Sequence, residues 1–193
     1  MFEIWGTLNG RDASKDNRLS EYFTRVLSPE EEKNILFVPP SYSLWQKRIE
    51  TEPVIILTFK HFRYQNSPYV TLNQLKTALS DFLPVKEKTL IELSATSEDF
   101  NLKTGKSIPL SLNIAHLKAG IKCSEIFFDE SVGASYFTYD NGSVHLVWVE
   151  DTRAIALKHN LIKSLGFKGI YWQNPYPLIE GNWEALTAIY KKA

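Results

Sequence analysis

A chain of 193 residues is enough for one domain, or for one domain with a subdomain. Apolar residues make up 44% and aromatic residues 13%, so a sizeable core can form and rings remain as platforms for apolar sugar faces. Lysine plus arginine equals aspartate plus glutamate, 22 each, and no basic stripe interleaves with aromatics, which excludes a nucleic-acid surface.

The element pattern is that of strand–helix units. Phe2 to Trp5 reads as a short strand, followed by a polar turn at Asn9-Gly10-Arg11-Asp12. Residues 17–27 place Leu19, Tyr22, Phe23, Val26 and Leu27 at helical spacing. Ile35 to Val38 is an apolar strand closed by Pro39-Pro40, and Ser43 to Glu50 a short helix. Val54 to Phe59 is apolar on successive residues, as in a parallel strand buried on both faces. A loop from His61 to Val70 leads to a helix capped by Thr71, with Leu72, Leu75, Leu79 and Phe82 on one face and Pro84 as its stop. Thr89 to Ala95 is the next strand. Residues 96–150 then turn irregular, with strands at Ala134–Tyr139 and Val144–Val149 joined across Asn141-Gly142. Asp151 caps a helix that ends at Gly166, with Glu150 favouring its dipole. Lys168 to Trp172 forms a last strand, and a helix over 182–191 closes the chain.

Cys123 is the only cysteine, which excludes an intrachain disulfide and a cysteine-rich zinc site. His61, His116, His145 and His159 lack metal-ligand spacing, so neither a metal nor another cofactor is expected. The segment MFEIWGTLNG has no basic region ahead of a long apolar run, and no apolar run reaches about eighteen residues. Neither a signal peptide nor a membrane span is expected.

Val144-His145-Leu146-Val147-Trp148-Val149-Glu150-Asp151 with Lys158 resembles the "H-x-VWFED-x-x-S-x-x-x-K" segment of bacterial family-18 glycoside hydrolases of the spore-cortex and germination type. Leu165 to Trp172 is similar to the family's closing strand, "GL-x-GI-x-YW". Leu57-Thr58-Phe59-Lys60 aligns with a sixth-strand "M-T-Y-D", and Glu92 to Phe100 with a seventh-strand "G-x-P-x-YG-x-DW". Phe2–Trp5, its helix and Ile35–Pro40 resemble strand four, its helix and strand five. The resemblance implies one partial (β/α)8 TIM-barrel domain over 1–193, from about strand four to strand eight. A small β-hairpin insertion between strands seven and eight belongs to an α+β region at 96–150.

Family-18 enzymes use the substrate's acetamido group as nucleophile and a protein Glu as acid, carried at the end of a "DG-x-x-D-x-D-x-E" strand. Glu3, within Met1-Phe2-Glu3, is the only match to that acid, and the preceding aspartates would lie before the first residue. The sixth-strand Tyr-Asp pair is Phe59-Lys60 and the seventh-strand Tyr is Thr96, so the resemblance leaves catalysis open. It implies a sugar site with Trp172 as platform and Phe59, His61, Asp99 and Phe100 around the mouth. The alternative for Trp172 is a core residue. The implied substrate is an N-acetylglucosamine-containing glycan, chitin or peptidoglycan, bound or hydrolysed at the spore or cell envelope. The alternative is a non-catalytic partner-binding protein that retains half of the fold. Five strands do not close an eight-stranded barrel, so a homo-oligomer or another missing barrel half is a further expectation.

Overall fold

The computed structural model describes residues 1–7, 23–40, 42–59, 70–94 and 96–173. The polar turn at 9–12, His61 and the helix expected over 182–191 lie outside the described residues.

Six strands form a wholly parallel sheet: β1 (Glu3–Thr7), β2 (Arg25–Leu27), β3 (Leu36–Val38), β4 (Ile55–Leu57), β5 (Thr89–Leu93) and β11 (Gly169–Gln173). Their spatial order is β2-β1-β11-β5-β4-β3. Four helices belong to this layer: α1 (Pro29–Glu32), α2 (Tyr42–Thr51), α3 (Leu72–Ser80) and α5 (Thr152–Ser164). Thr71 begins α3 with a reciprocal cap, its hydroxyl accepting from Gln74 N while the Gln74 side chain accepts from Thr71 N.

Alternation along the strands separates two apolar layers. Ile55, Leu57, Ile91, Leu93, Ile170 and Trp172 pack with Ile49 of α2, Leu75 and Leu79 of α3, and Ile155 and Ile162 of α5. Trp5, Leu27, Ile56, Leu90 and Tyr171 form the layer on the opposite face, with Ile35, Phe37 and Val54 against it. Phe37 on β3 and Tyr171 on β11 meet with ring centroids 5.6 Å apart. Flat strands three places apart would lie about 14 Å apart. The sheet is therefore rolled towards this face, and the chain's own side chains fill the concavity.

This topology corrects the placement of Phe2–Trp5 as strand four. A fourth barrel strand would lie beside strand five. Here β1 pairs with β11, and β11, β5 and β4 separate it from β3. Residues 25–27, expected to end a helix, instead form β2, because pairing with β1 satisfies their backbone.

Between β5 and α5 the chain builds more than a hairpin. Strands β6 (Ser97–Asn101), β7 (Ser107–Leu110), β8 (Phe127–Asp129), β9 (Ala134–Asp140) and β10 (Val144–Val149) form an antiparallel sheet in the order β7-β6-β10-β9-β8. Helix α4 (Leu112–Ile121) covers one face through Leu112, Ala115 and Ala119 against Phe137, Tyr139, Val147 and Val149. Gly133, at φ +74°, joins the layers: a Cβ there would lie 2.3 Å from the Leu72 side chain.

Gly169 is where β1 and β11 approach most tightly. A Cβ at this position would lie 1.9 Å from the Glu3 carbonyl oxygen and 2.9 Å from its nitrogen. Backbone cannot swing aside as a side chain can. Gly169→Ala is expected to lower unfolding stability by about 2 kcal/mol or more, read by urea denaturation. A midpoint equal to that of the native chain would refute the close approach.

Candidate functional site

The most specific stretch of the resemblance resolves into scaffold. Lys158 Nζ donates to both carboxylate oxygens of Glu150, at 2.7 and 2.8 Å, and both residues are buried. Glu150 thus has a dedicated counter-charge rather than only a helix dipole. Asp151 Oδ1 accepts from Ala154 N at 3.0 Å, capping α5. Its other oxygen accepts from the Ser135 hydroxyl, tying α5 to β9. The two neighbouring carboxylates serve separate partners and do not form an acid–base pair.

Glu3 opens β1, and its register partner Gly169 opens β11. Both lie at the N-terminal end of the parallel sheet, whereas barrel active sites form at the C-terminal end. Glu3 Oε1 accepts from Lys168 Nζ at 2.7 Å and Oε2 from Trp5 Nε1 at 2.6 Å. Burial works to raise its pKa, but the bonds from Lys168 and Trp5, with the charges of Lys168 and the terminal amine, hold it below its ordinary value. A general acid must carry a proton to donate. This environment keeps Glu3 ionised, as a strut between β1 and β11.

Trp172 sits near the C-terminal end of β11 but lies in the helix-packed layer, with 2% of its surface exposed. Half-buried Phe59, just beyond β4, packs against the same cluster. Tyr171 points the other way, into the concavity, where its hydroxyl donates to Glu32 Oε1 at 2.5 Å. Side chains alternate along a strand, so Tyr171 and Trp172 face opposite ways. Tyr171 is the residue that the sequence reading missed; the signal that could have found it is that Gly169-Ile170-Tyr171-Trp172 has one residue fewer between Ile and Tyr than the pattern it resembles. The Trp172 indole N–H is buried without a hydrogen-bond partner among the described residues.

Asp99 and Phe100 follow one another on β6 and so face opposite ways. Phe100 is half-buried on the face away from α4. Asp99 is buried on the α4 face. Its Oδ2 accepts from Lys118 Nζ at 2.5 Å and from the Tyr139 hydroxyl at 2.7 Å, and Oδ1 lies 2.8 Å from His145 Nδ1. Asn101 Oδ1 accepts from the backbone of Lys103 and Thr104, which turns Nδ2 towards His145 Nε2 at 3.1 Å. With a donor facing Nε2, the ring proton belongs on Nδ1, shared with Asp99. Burial works to raise the Asp99 pKa, but the bonds from Lys118, Tyr139 and His145 hold it below its ordinary value. Burial works to lower that of Lys118, but Asp99 and Tyr139 hold it above. Of the expected mouth residues that are described, Trp172 and Phe59 share one cluster, and Asp99 belongs to this separate network.

No protein-family model matches the chain. The cortical fragment-lytic enzyme of Bacillus anthracis is 41% identical over 65 residues, 32% of this chain and 15% of that protein. The spore cortex-lytic enzyme SleL of Bacillus cereus superposes with a TM-score of 0.67 at 22% identity, covering 80% of this chain and 40% of that one. A chitinase from Chromobacterium violaceum gives 0.66 at 18% identity, covering 82% of this chain and 54% of the other. The chain thus spans about half, or less, of the proteins it matches. It resembles part of the chitinase-like, spore-cortex-type family-18 glycoside hydrolases, and the structural likeness is one of fold.

Two tests address this site. Lys158→Met leaves the buried Glu150 charge uncompensated and is expected to cost about 3–5 kcal/mol, most of it recovered in Glu150→Leu/Lys158→Met. Single and double variants that unfold alike would exclude a paired charge. Asp99→Asn is expected to destabilise the chain near neutrality by about 1–3 kcal/mol. The depressed Asp99 pKa adds stability above the carboxyl's unfolded pKa of about 3.9, lost as pH falls through the lower folded value. The gap between native and variant chains should therefore close in strong acid; a gap constant from neutrality to about pH 2 would contradict the network.

Proposed function

We propose that this chain is a family-18-like domain that engages an N-acetylglucosamine-containing cell-wall glycan without cleaving it. The observation that carries the absence of cleavage is the position of Glu3: the wrong end of the sheet, ion-paired, on a strand beside β11. In barrel terms β1 and β2 stand as strands one and two, and β3, β4, β5 and β11 as five to eight. Only residues 28–35 separate β2 from β3, although these strands form opposite edges of the sheet. On this numbering no described strand stands for the acid-bearing fourth, and α1 is the element between β2 and β3 in sequence.

Glycan engagement is supported by the likeness of fold to chitinase and cortex-lytic enzymes and by Trp172 and Phe59, which share one apolar cluster near the C-terminal ends of β11 and β4. The buried Trp172 N–H has no acceptor among the described residues; an unpaired buried donor costs about 1–3 kcal/mol, and a sugar oxygen would satisfy it. His61, which follows β4 in sequence, lies outside the described residues. Asp99 and Phe100 do not join that cluster, and Asp99 is consumed by its network.

The second reading, a non-catalytic partner-binding half-barrel, draws on the filled concavity. Phe37, Tyr171 and Glu32 occupy the space over which a sugar would lie.

Tryptophan emission titrated with N-acetylglucosamine oligomers and peptidoglycan fragments, followed by product analysis, separates these outcomes. A saturable shift without cleaved product is expected. Trp172→Phe, which keeps an aromatic ring but removes the N–H, should weaken binding about five- to tenfold. Cleaved product would overturn the non-hydrolytic reading. No shift at millimolar oligomer would remove glycan binding and leave the partner-binding reading standing.

A further inference from the structure

Residues 100–124 contain no aspartate or glutamate, in a chain whose acidic and basic residues are equal in number overall. The same stretch carries Lys103, Lys106, Lys118 and Lys122 together with His116. It forms the turn from β6 to β7, the edge strand β7 and helix α4. Lys118 is committed to Asp99, but Lys103, Lys106, His116 and Lys122 are exposed.

Helix α4 is apolar on two opposite sides. Leu112, Ala115 and Ala119 pack against the antiparallel sheet. Ile114, Leu117 and Ile121 recur at i, i+3 and i+7 on the outer side and are 47%, 58% and 69% exposed. Ile108, on the α4 face of the neighbouring edge strand, is 62% exposed. An amphipathic surface helix has one apolar stripe. A second one, in a stretch that carries exposed lysines and no acidic residue, calls for an occupant that is apolar and anionic together.

We propose that this face, Ile108 with Ile114, Leu117 and Ile121, together with the exposed Lys103, Lys106 and Lys122 of the same acid-free stretch, seats the domain on an anionic lipid surface. Aliphatic side chains at the acyl boundary with flanking lysines in the headgroup layer are the pattern of interfacial attachment. Long lysine stems let the charge reach the headgroups while the methylenes stay in apolar contact. The attachment is peripheral, since no described helix is long and apolar enough to cross a membrane.

The composition argues against a protein occupant. Protein interfaces are depleted in lysine, and their energetic centres are Trp, Tyr and Arg, none of which occurs in residues 101–124. A second copy would bring two acid-free faces together, cation against cation. Strand pairing along β7 is blocked as well. Asn101 N donates to the Lys106 carbonyl, and alternation along the ladder then directs the position-109 nitrogen to the free edge. That residue is Pro109, which has no N–H to offer.

The inference does not depend on the glycan reading. Its test is flotation of the full chain with vesicles of phosphatidylcholine containing phosphatidylglycerol, against vesicles of phosphatidylcholine alone. Binding to the anionic vesicles only, falling steeply between about 0.05 and 0.5 M salt, is expected. Leu117→Glu and, separately, Lys103→Glu/Lys106→Glu should each lower partitioning about tenfold. All three positions are exposed, and circular dichroism reports whether each variant remains folded. A native chain that stays with the soluble fraction would overturn the proposal, as would anionic-vesicle binding unchanged in both folded variants. A concentration-dependent dimer abolished by Leu117→Glu would assign the face to a second copy instead and would equally overturn it.

Discussion

The backbone contact between β1 and β11 is the constraint on which the rest of the structure depends. It joins residue 3 to residue 169 with no space for a Cβ at the crossing. Through it the N-terminal strands β1 and β2 become one edge of a sheet whose other edge is β3. Rolling that sheet brings Phe37 to Tyr171 and encloses Trp5, Leu27, Ile56 and Leu90. Glu3, Lys168 and Trp5 fasten the same seam with charge-assisted hydrogen bonds, which are stronger than neutral ones. A carboxylate needed to hold the first and last strands together is poorly placed to trade its proton with a substrate.

Parity along β11 is a second constraint with functional weight. The Glu3 backbone leaves no room for a side chain at Gly169, and alternation from there places Trp172 under the helices and Tyr171 in the concavity. The two rings differ in environment as well as in face: an indole N–H without a hydrogen-bond partner among the described residues on one side, a phenol bonded to Glu32 on the other. Which of two adjacent rings faces the cavity is thus set by the parity of the strand and not by its composition.

Much of this architecture was legible in the sequence where the signal was local. The apolar runs at 54–59 and 89–95 gave strands β4 and β5, because strands buried on both faces need apolar residues in succession. The caps at Thr71 and Asp151 formed as their side-chain chemistry requires. Non-local features were not legible. Phe23, Val26 and Leu27 satisfy helical spacing, yet residues 25–27 gain more from pairing with β1 than from a helical turn. Helix α4 escaped notice because apolar residues on both of its sides erase the 3.6-residue periodicity. The identity of the strand beside β11 depends on a contact spanning nearly the whole chain, and no local pattern reports it.

The residues that made the resemblance visible are mainly those that hold helix α5 and the antiparallel sheet in place. His145 orients on Asp99, Glu150 is neutralised by Lys158, and Asp151 caps α5 while accepting from Ser135. Each contributes through a buried partner, so loss of either member would leave a desolvated charge or donor unpaired. Residues facing a substrate carry no such mutual penalty. Substitution among such residues costs the fold little, whereas the buried pairs must be kept together. A resemblance carried by Glu150, Asp151 and Lys158 therefore reports the scaffold, and Glu3, held by Lys168 and Trp5, belongs to that scaffold as well.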